Sequence, residues 1–226
     1  MENKTRRNQE LFYKELLTKY KGTTMAVSSE SLAHKKLRFK HVTGIFESDD
    51  NISVHDVGMG LADMYAYIQE NYPQKAITYS GSEILVEFVN EAHQRFPHLS
   101  FYHRDLAEKP FDDCYDYLLI SGVFHQRRDN TIREWEEFAE NLIYNSFQMC
   151  KKGIAFNFIS PFVDYYQTEV YYSNLPKIIN FINDKLSRFF VIKHNYALYE
   201  YTVYVYREEY IKLLHPELEF QKYFKV

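Results

Sequence analysis

The stretch Ile52-Ser-Val-His-Asp-Val-Gly-Met-Gly-Leu-Ala-Asp63 reads as a short buried strand that runs into a glycine turn and then opens a helix. Ile52 and Val54 lie on one face of the strand, Asp56 and Val57 end it, and Gly58 and Gly60 make the turn. Helical spacing then runs from Ala62 to Ile68. Glycines suit such a turn because a side chain would hold the backbone away from a bound cofactor. The exposed amides at the helix start suit a polar or anionic group. A lone Gly-x-Gly is a weak signal, and the elements that follow it in order give it weight.

Downstream, Ala76-Ile-Thr-Tyr-Ser80 reads as a second strand followed by Gly81-Ser-Glu83, and a helix then buries Leu85, Phe88, Val89 and Ala92. A carboxylate at the end of a second strand can accept from both hydroxyls of a cofactor ribose. Glu83 stands there, and a glutamate favoured by a helix dipole is the competing reading. Leu99-Ser-Phe-Tyr102 reads as a third strand, followed by His103-Arg-Asp-Leu106. The apolar run Tyr117-Leu-Leu-Ile-Ser121 has the pattern of a strand buried in a parallel sheet, and it ends in Ser121-Gly-Val-Phe-His125. Ligands of open α/β sheets bind outside the carboxyl ends of the strands, so Ser121, Gly122 and His125 sit where chemistry takes place. Thr131-Ile-Arg-Glu134 is a capping-box pattern that starts a helix with Ile132, Trp135, Phe138, Leu142 and Met149 on an apolar stripe. Gly153 to Phe158 is the fifth strand, and Ser173-Asn-Leu-Pro176 caps a helix through Ile179, Ile182 and Leu186. Phe189 to Lys193 and Tyr199 to Tyr206 are two strands whose short connection implies antiparallel pairing.

About fifty residues precede the first strand. Residues 8–20 place Leu11, Phe12, Leu16, Leu17 and Tyr20 on one helical face, and Lys21-Gly-Thr-Thr breaks the pattern. A second helix follows Ser28-Ser-Glu-Ser31 and buries Leu37, Val42, Ile45 and Phe46. Residues 1–50 are thus expected to form a helical cap, 51–207 an α/β core and 208–226 a helix and tail, all within one domain.

The run Asp56-Val-Gly-Met-Gly resembles the first motif of class I S-adenosylmethionine-dependent methyltransferases, written Asp/Glu-x-Gly-x-Gly. That resemblance implies a Rossmann-like sheet of seven strands, mostly parallel with the last strand antiparallel, under a helical N-terminal cover. It implies S-adenosylmethionine as cofactor, with Asp56, Gly58 and Gly60 at its methionine end, Glu83 on its ribose, Asp105 and Leu106 at its adenine and Ser121 near the methyl. Ser121-Gly-Val-Phe, Gly153-Ile-Ala-Phe-Asn157, Tyr171-Tyr172 and His194-Asn-Tyr-Ala-Leu-Tyr-Glu-Tyr201 are further similar to small bacterial methyltransferases of capsule and O-antigen clusters. That narrower likeness, over about residues 25 to 207, implies an acceptor oxygen, or less readily a nitrogen, on a sugar, phosphate or phosphoramidate precursor of surface polysaccharide. His125 departs from the polar Asn common at its position.

Candidate bases are His125 and His194, each also readable as a histidine that only binds or packs. Arg38, Arg127, Tyr172 and Tyr199 are the candidate acceptor-binding residues, suited to a small, polar, anionic molecule. Two other classes stay open, an NAD-dependent oxidoreductase and a non-catalytic S-adenosylmethionine-binding module. A dehydrogenase prefers a third glycine near position 63, where this chain has Asp63.

Composition narrows the field. A net charge of −4 removes the general electrostatic case for nucleic acid. No run of residues is apolar enough to span a bilayer, and the polar start Met1-Glu-Asn-Lys-Thr-Arg-Arg is not a secretory signal. Cys114 and Cys150 offer neither a disulfide framework nor metal-ligand spacing, so no metal is expected and a reducing cytoplasm is the expected location. Aromatics reach 18% of the chain, which reads as bulky core packing with some tyrosines free to line a pocket.

Overall fold

The computed structural model describes residues 4–20 and 31–224. The expected break at Lys21-Gly-Thr-Thr lies outside the described residues. A seven-stranded sheet has the order β3-β2-β1-β4-β5-β7-β6. Its strands are β1 (Asn51–Val57), β2 (Ala76–Glu83), β3 (Ser100–His103), β4 (Tyr115–Ile120), β5 (Cys150–Ile159), β6 (Phe190–Lys193) and β7 (Glu200–Tyr206). The first five are parallel, and β7 runs antiparallel to both β5 and β6. The helices are α1 (Lys4–Tyr20), α2 (Leu32–Thr43), α3 (Asp63–Asn71), α4 (Val86–Arg95), α5 (Ile132–Gln148), α6 (Leu175–Phe181) and α7 (Glu208–Leu214). This is the expected Rossmann-like sheet, with β2 three residues longer than the sequence indicates because Gly81 to Glu83 continue its pairing with β1 and β3.

Strand alternation divides the core between the two faces of the sheet. Leu118 and Ile120 of β4, Ile154, Phe156 and Phe158 of β5, and Val203 and Val205 of β7 pack with Trp135, Leu142 and Ile143 of α5. Tyr117, Leu119, Ala155 and Tyr204 point the other way, onto Phe39 and Val42 of α2 and the Ile45–Phe46 turn behind it. The second helix is therefore part of the core and not a detachable cap. It buries Lys35, Phe39, Val42 and Thr43, while Leu37 is only partly buried.

The first helix also presents a different face from the one hydrophobicity selects. Leu11 is exposed, and the inward stripe is Thr5, Gln9, Tyr13 and Leu17, spaced four apart. Leu17 packs with Leu85 and Phe88, with Tyr13 against them. Gln9 and Asn8 donate to Gln126 O and Asn130 Oδ1 beyond β4. One helix thus bridges the loops of two strand ends. In α5 the capping box forms as expected, with Thr131 and Glu134 each receiving the other's backbone N–H. Ile132, expected on its apolar stripe, is exposed.

Candidate functional site

At the end of β1 the chain passes through left-handed backbone at Gly58 (φ 71°) and Gly60 (φ 55°). A Cβ on Gly58 would meet Val123 Cγ2 at 2.6 Å, so close approach and positive φ both require glycine there. The turn folds over the end of β2, with the Gly58 and Met59 amides donating to Ser82 O at 2.9 and 3.2 Å. The Gly60 amide donates to Glu83 Oε2 at 3.0 Å, and the Ile84 amide to Glu83 Oε1 at 2.7 Å. Glu83 is thereby fixed at the mouth of the turn. Burial raises its pKa, against the opposing pull of those amides.

A cavity opens above this turn. It is lined by Asp56 to Gly60, by Glu83 at the end of β2, by Arg104 to Leu106 after β3 and by Ser121, Gly122 and His125 after β4. Gln9 and Tyr13 of α1 and Lys35, Arg38 and Phe39 of α2 close its other side. Every residue expected at the cofactor therefore faces one space. Asp56, almost fully buried, takes a 2.5 Å bond from the Tyr79 hydroxyl, and burial still pushes its pKa up to about 7. Asp105 is held by the Ala107 amide at 2.8 Å, and burial raises its pKa too. Ser121 Oγ is buried with no hydrogen-bond partner among the described residues, as is Arg104 Nε. Asp63 heads α3 and pairs with Lys35 and Arg95; although burial opposes it, these cations hold its pKa below the usual value.

Of the acceptor-site candidates, His125 and Arg38 line this cavity, and they meet in a network that sequence reasoning missed. Arg38 grips Glu200 with two nitrogens, Nη2–Oε1 at 2.7 Å and Nε–Oε2 at 2.9 Å. Asn157 Nδ2 donates to Glu200 Oε2 at 2.6 Å and lies 3.1 Å from His125 Nε2. The Gly122 amide donates to Asn157 Oδ1 at 2.8 Å. Desolvation drives the His125 pKa down to about 4, despite Glu200 nearby. The Glu200 carboxyl is held below its usual range: burial opposes ionisation, but Arg38 and Asn157 outweigh it. Asn157 and Glu200 stand on the face of β5 and β7 that meets α2, where a polar side chain inside an apolar strand was the available signal.

The other four candidates lie elsewhere. Arg127 binds the backbone carbonyls of Asn130 and Thr168, pinning its own loop. The Tyr172 hydroxyl accepts from the Gln167 amide, and the Tyr199 hydroxyl donates to Asp164. His194 is exposed, near Phe162 and Tyr201. All four are absent from the cavity wall: Arg127 turns onto the Asn130 and Thr168 carbonyls, Tyr172 follows β5, and β5 and β7 separate the β6–β7 connection that carries His194 and Tyr199 from the end of β4. Among the described residues no cluster of His, Cys, Asp and Glu is arranged to hold a metal, and no helix is long and apolar enough to cross a membrane.

No family model matches the chain. Rv1506c of Mycobacterium tuberculosis, whose naming as a methyltransferase is itself provisional, is 24% identical over 163 residues, spanning 71% of this chain and 96% of that protein. Among solved structures, magnesium protoporphyrin IX methyltransferase (ChlM) from Synechocystis PCC 6803 with bound SAH superposes with a TM-score of 0.59 at 16% identity. The match covers 89% of this chain and 97% of that one. The N-methyltransferase NodS from Bradyrhizobium japonicum WM9, in complex with S-adenosyl-l-homocysteine, gives 0.61 at 12% identity, over 88% and 98%. At these identities the likeness establishes the fold, that of class I S-adenosylmethionine-dependent methyltransferases.

Proposed function

We propose that the chain is an S-adenosylmethionine-dependent methyltransferase acting on an oxygen of a small polar molecule. The observation that carries the proposal is the glycine-turn cavity, in which Gly60 N–H fixes the Glu83 carboxylate and Asp105 stands at the next strand end. The residues fit such a cofactor. Glu83 accepts from ribose hydroxyls, Asp105 accepts from an adenine amino group, and Leu106 lies beside the base. Gly58 and Gly60 admit the methionine portion, and the unpaired Ser121 Oγ offers a hydrogen bond near the reacting end.

When bound, that cofactor would supply an activated methyl on a sulfonium, with sulfur as the leaving group, to an acceptor lone pair. The protein's own part is to orient the acceptor, an effect worth roughly 7–11 kcal/mol, and to exclude water. The solved relatives named above carry the same cofactor product, which supports the reading. The narrower acceptor, a sugar, phosphate or phosphoramidate precursor of surface polysaccharide, rests on motif resemblance alone.

Calorimetry with S-adenosylhomocysteine and with NAD tests the cofactor. Binding of the former alone is expected, and Glu83→Ala should weaken it by roughly 1–3 kcal/mol through lost charge-assisted hydrogen bonds. Binding of NAD alone, or an unchanged affinity in Glu83→Ala, would overturn the assignment. Substrate screening then separates an enzyme from a module that binds without turnover.

A further inference from the structure

We infer that His125 is a hydrogen-bond donor to the acceptor and not its general base, and that the acceptor is an oxyanion, a carboxylate or phosphate oxygen. The inference rests on the function proposed above and names the substrate class of the same site.

The hydrogen-bond network fixes the histidine tautomer. Gly122 N–H can only donate, so the Asn157 atom 2.8 Å away must be its carbonyl oxygen. The amide nitrogen of Asn157 therefore faces Glu200 at 2.6 Å and His125 Nε2 at 3.1 Å, and its two hydrogens go one to each. An amide nitrogen does not accept, so Nε2 must. The alternative partner for an Nε2–H, Glu200 Oε2, lies at 3.8 Å, too far for a hydrogen bond. A neutral His125 then carries its proton on Nδ1, across the ring from the Nε2 that Asn157 occupies, and the residue lines the cavity. Glu200 and Arg38 are the charged groups that face this ring. They neutralise one another, so neither draws a second proton onto it.

Two further donors converge on the end of β4. Ser121 Oγ is buried and unpaired, and Arg38 Nη1 would lie 3.2 Å from a Cβ on Gly122 while Nε and Nη2 serve Glu200. The carboxylates that line the cavity, and Glu200 behind it, are each committed, Asp105 to the Ala107 amide. Asp56 takes Tyr79, Glu83 takes backbone amides, Asp63 takes Lys35 and Arg95, and Glu200 takes Arg38 and Asn157. Donors without a base suit an acceptor atom that has no proton to lose. An oxyanion brings its lone pair ready-made, and transfer of a methyl from a positively charged donor removes one negative charge, leaving a neutral ester from a carboxylate and a monoanionic one from a phosphate dianion.

The test is histidine nitrogen-15 NMR on the full-length protein saturated with S-adenosylhomocysteine, over about pH 5.5–8.5. His125 is assigned from the signals lost in His125→Asn. It should show the Nδ1–H tautomer throughout with no titration, and Asn157→Leu should mix the tautomers. Acetate or inorganic phosphate should shift the Nδ1–H signal saturably, and the one that does so identifies carboxylate or phosphate. His125→Asn, whose amide nitrogen stands near the Nδ1 position, should keep that anion's affinity within about threefold, whereas His125→Leu should lower it about tenfold. An Nε2–H tautomer, a titration in the ordinary histidine range, or no response to either anion would overturn the inference. Failure of S-adenosylhomocysteine to bind would count instead against the proposed function, and the tautomer in the free protein would still decide the role of His125.

Discussion

Asp56 sits beneath the glycine turn with its carboxyl removed from water and one hydroxyl donated to it by Tyr79. A carboxyl in that position prefers to keep its proton, which is why its pKa rises to about 7. The consequence for stability has a definite sign. Below about pH 4 both folded and unfolded chains hold the proton, and no penalty exists. As pH rises from about 4 to about 7 the unfolded chain ionises first, so stability falls, and above that range the penalty is constant. Three units of pKa correspond to about 4 kcal/mol, an order of magnitude from which the weaker bond of Tyr79 to a neutral amide subtracts. Asp56→Asn should therefore leave urea stability nearly unchanged near pH 4 and raise it at pH 8. An equal change at both values would show that Asp56 is already ionised in the native protein. The same residue was legible in the sequence as the acid before Gly-x-Gly, yet its protonation was not, because that depends on how completely the fold buries it, a burial that outweighs the opposing hydrogen bond from Tyr79.

Among the elements, the strand ends could be read and the strand neighbours could not. Alternation and the glycine turn locate the ends of β1, β2 and β4, and with them Asp56, Glu83 and Ser121. Asn157 and Glu200 enter the site through β5–β7 pairing, in which Asn157 faces Thr202 and Ile159 faces Glu200. No local pattern announces that register. The first helix misled for a related reason: its inward residues include the polar Thr5 and Gln9, and Gln9 and Tyr13 line the cavity, so hydrophobic spacing selected the wrong stripe. His194, Tyr199 and Tyr172 belong to segments too far along the sheet edge, and Arg127, in the loop after β4, binds the Asn130 and Thr168 carbonyls instead of facing the cavity. The Arg38–Glu200 pair, which ties α2 to β7, allows a direct test. Both side chains are largely buried, at 16% and 8% exposed. Removing one partner strands a buried charge at a cost of about 3–5 kcal/mol, whereas replacing both with apolar groups of similar volume is often near neutral. Glu200→Leu should thus lower the midpoint of thermal unfolding sharply, and Arg38→Met with Glu200→Leu should recover most of the loss. Equal destabilisation in the single and double variants would mean that the pair adds no coupling.

On the scale of the molecule, the question is which parts the cofactor orders. The two N-terminal helices looked equivalent in the sequence, a joint cap ahead of the first strand, but they are anchored differently. The second buries Phe39 and Val42 in the sheet core, so its protection from exchange comes from global stability and cofactor adds little to it. The first reaches the body through Leu17, a few side-chain hydrogen bonds and surface ion pairs such as Lys14–Glu87, which solvent screens. It also carries Gln9 and Tyr13 into the cavity wall, so a molecule filling the cavity adds a second surface for it to rest on. Hydrogen exchange with S-adenosylhomocysteine should therefore slow strongly in residues 4–20 and change little in residues 36–43. Tyr13→Ala should remove much of that slowing while leaving exchange in the sheet untouched. Equal protection of both helices would mean that cofactor binding stabilises the whole fold without closing a lid. No change in residues 4–20 would mean that α1 packs as firmly on the free protein as on the bound one.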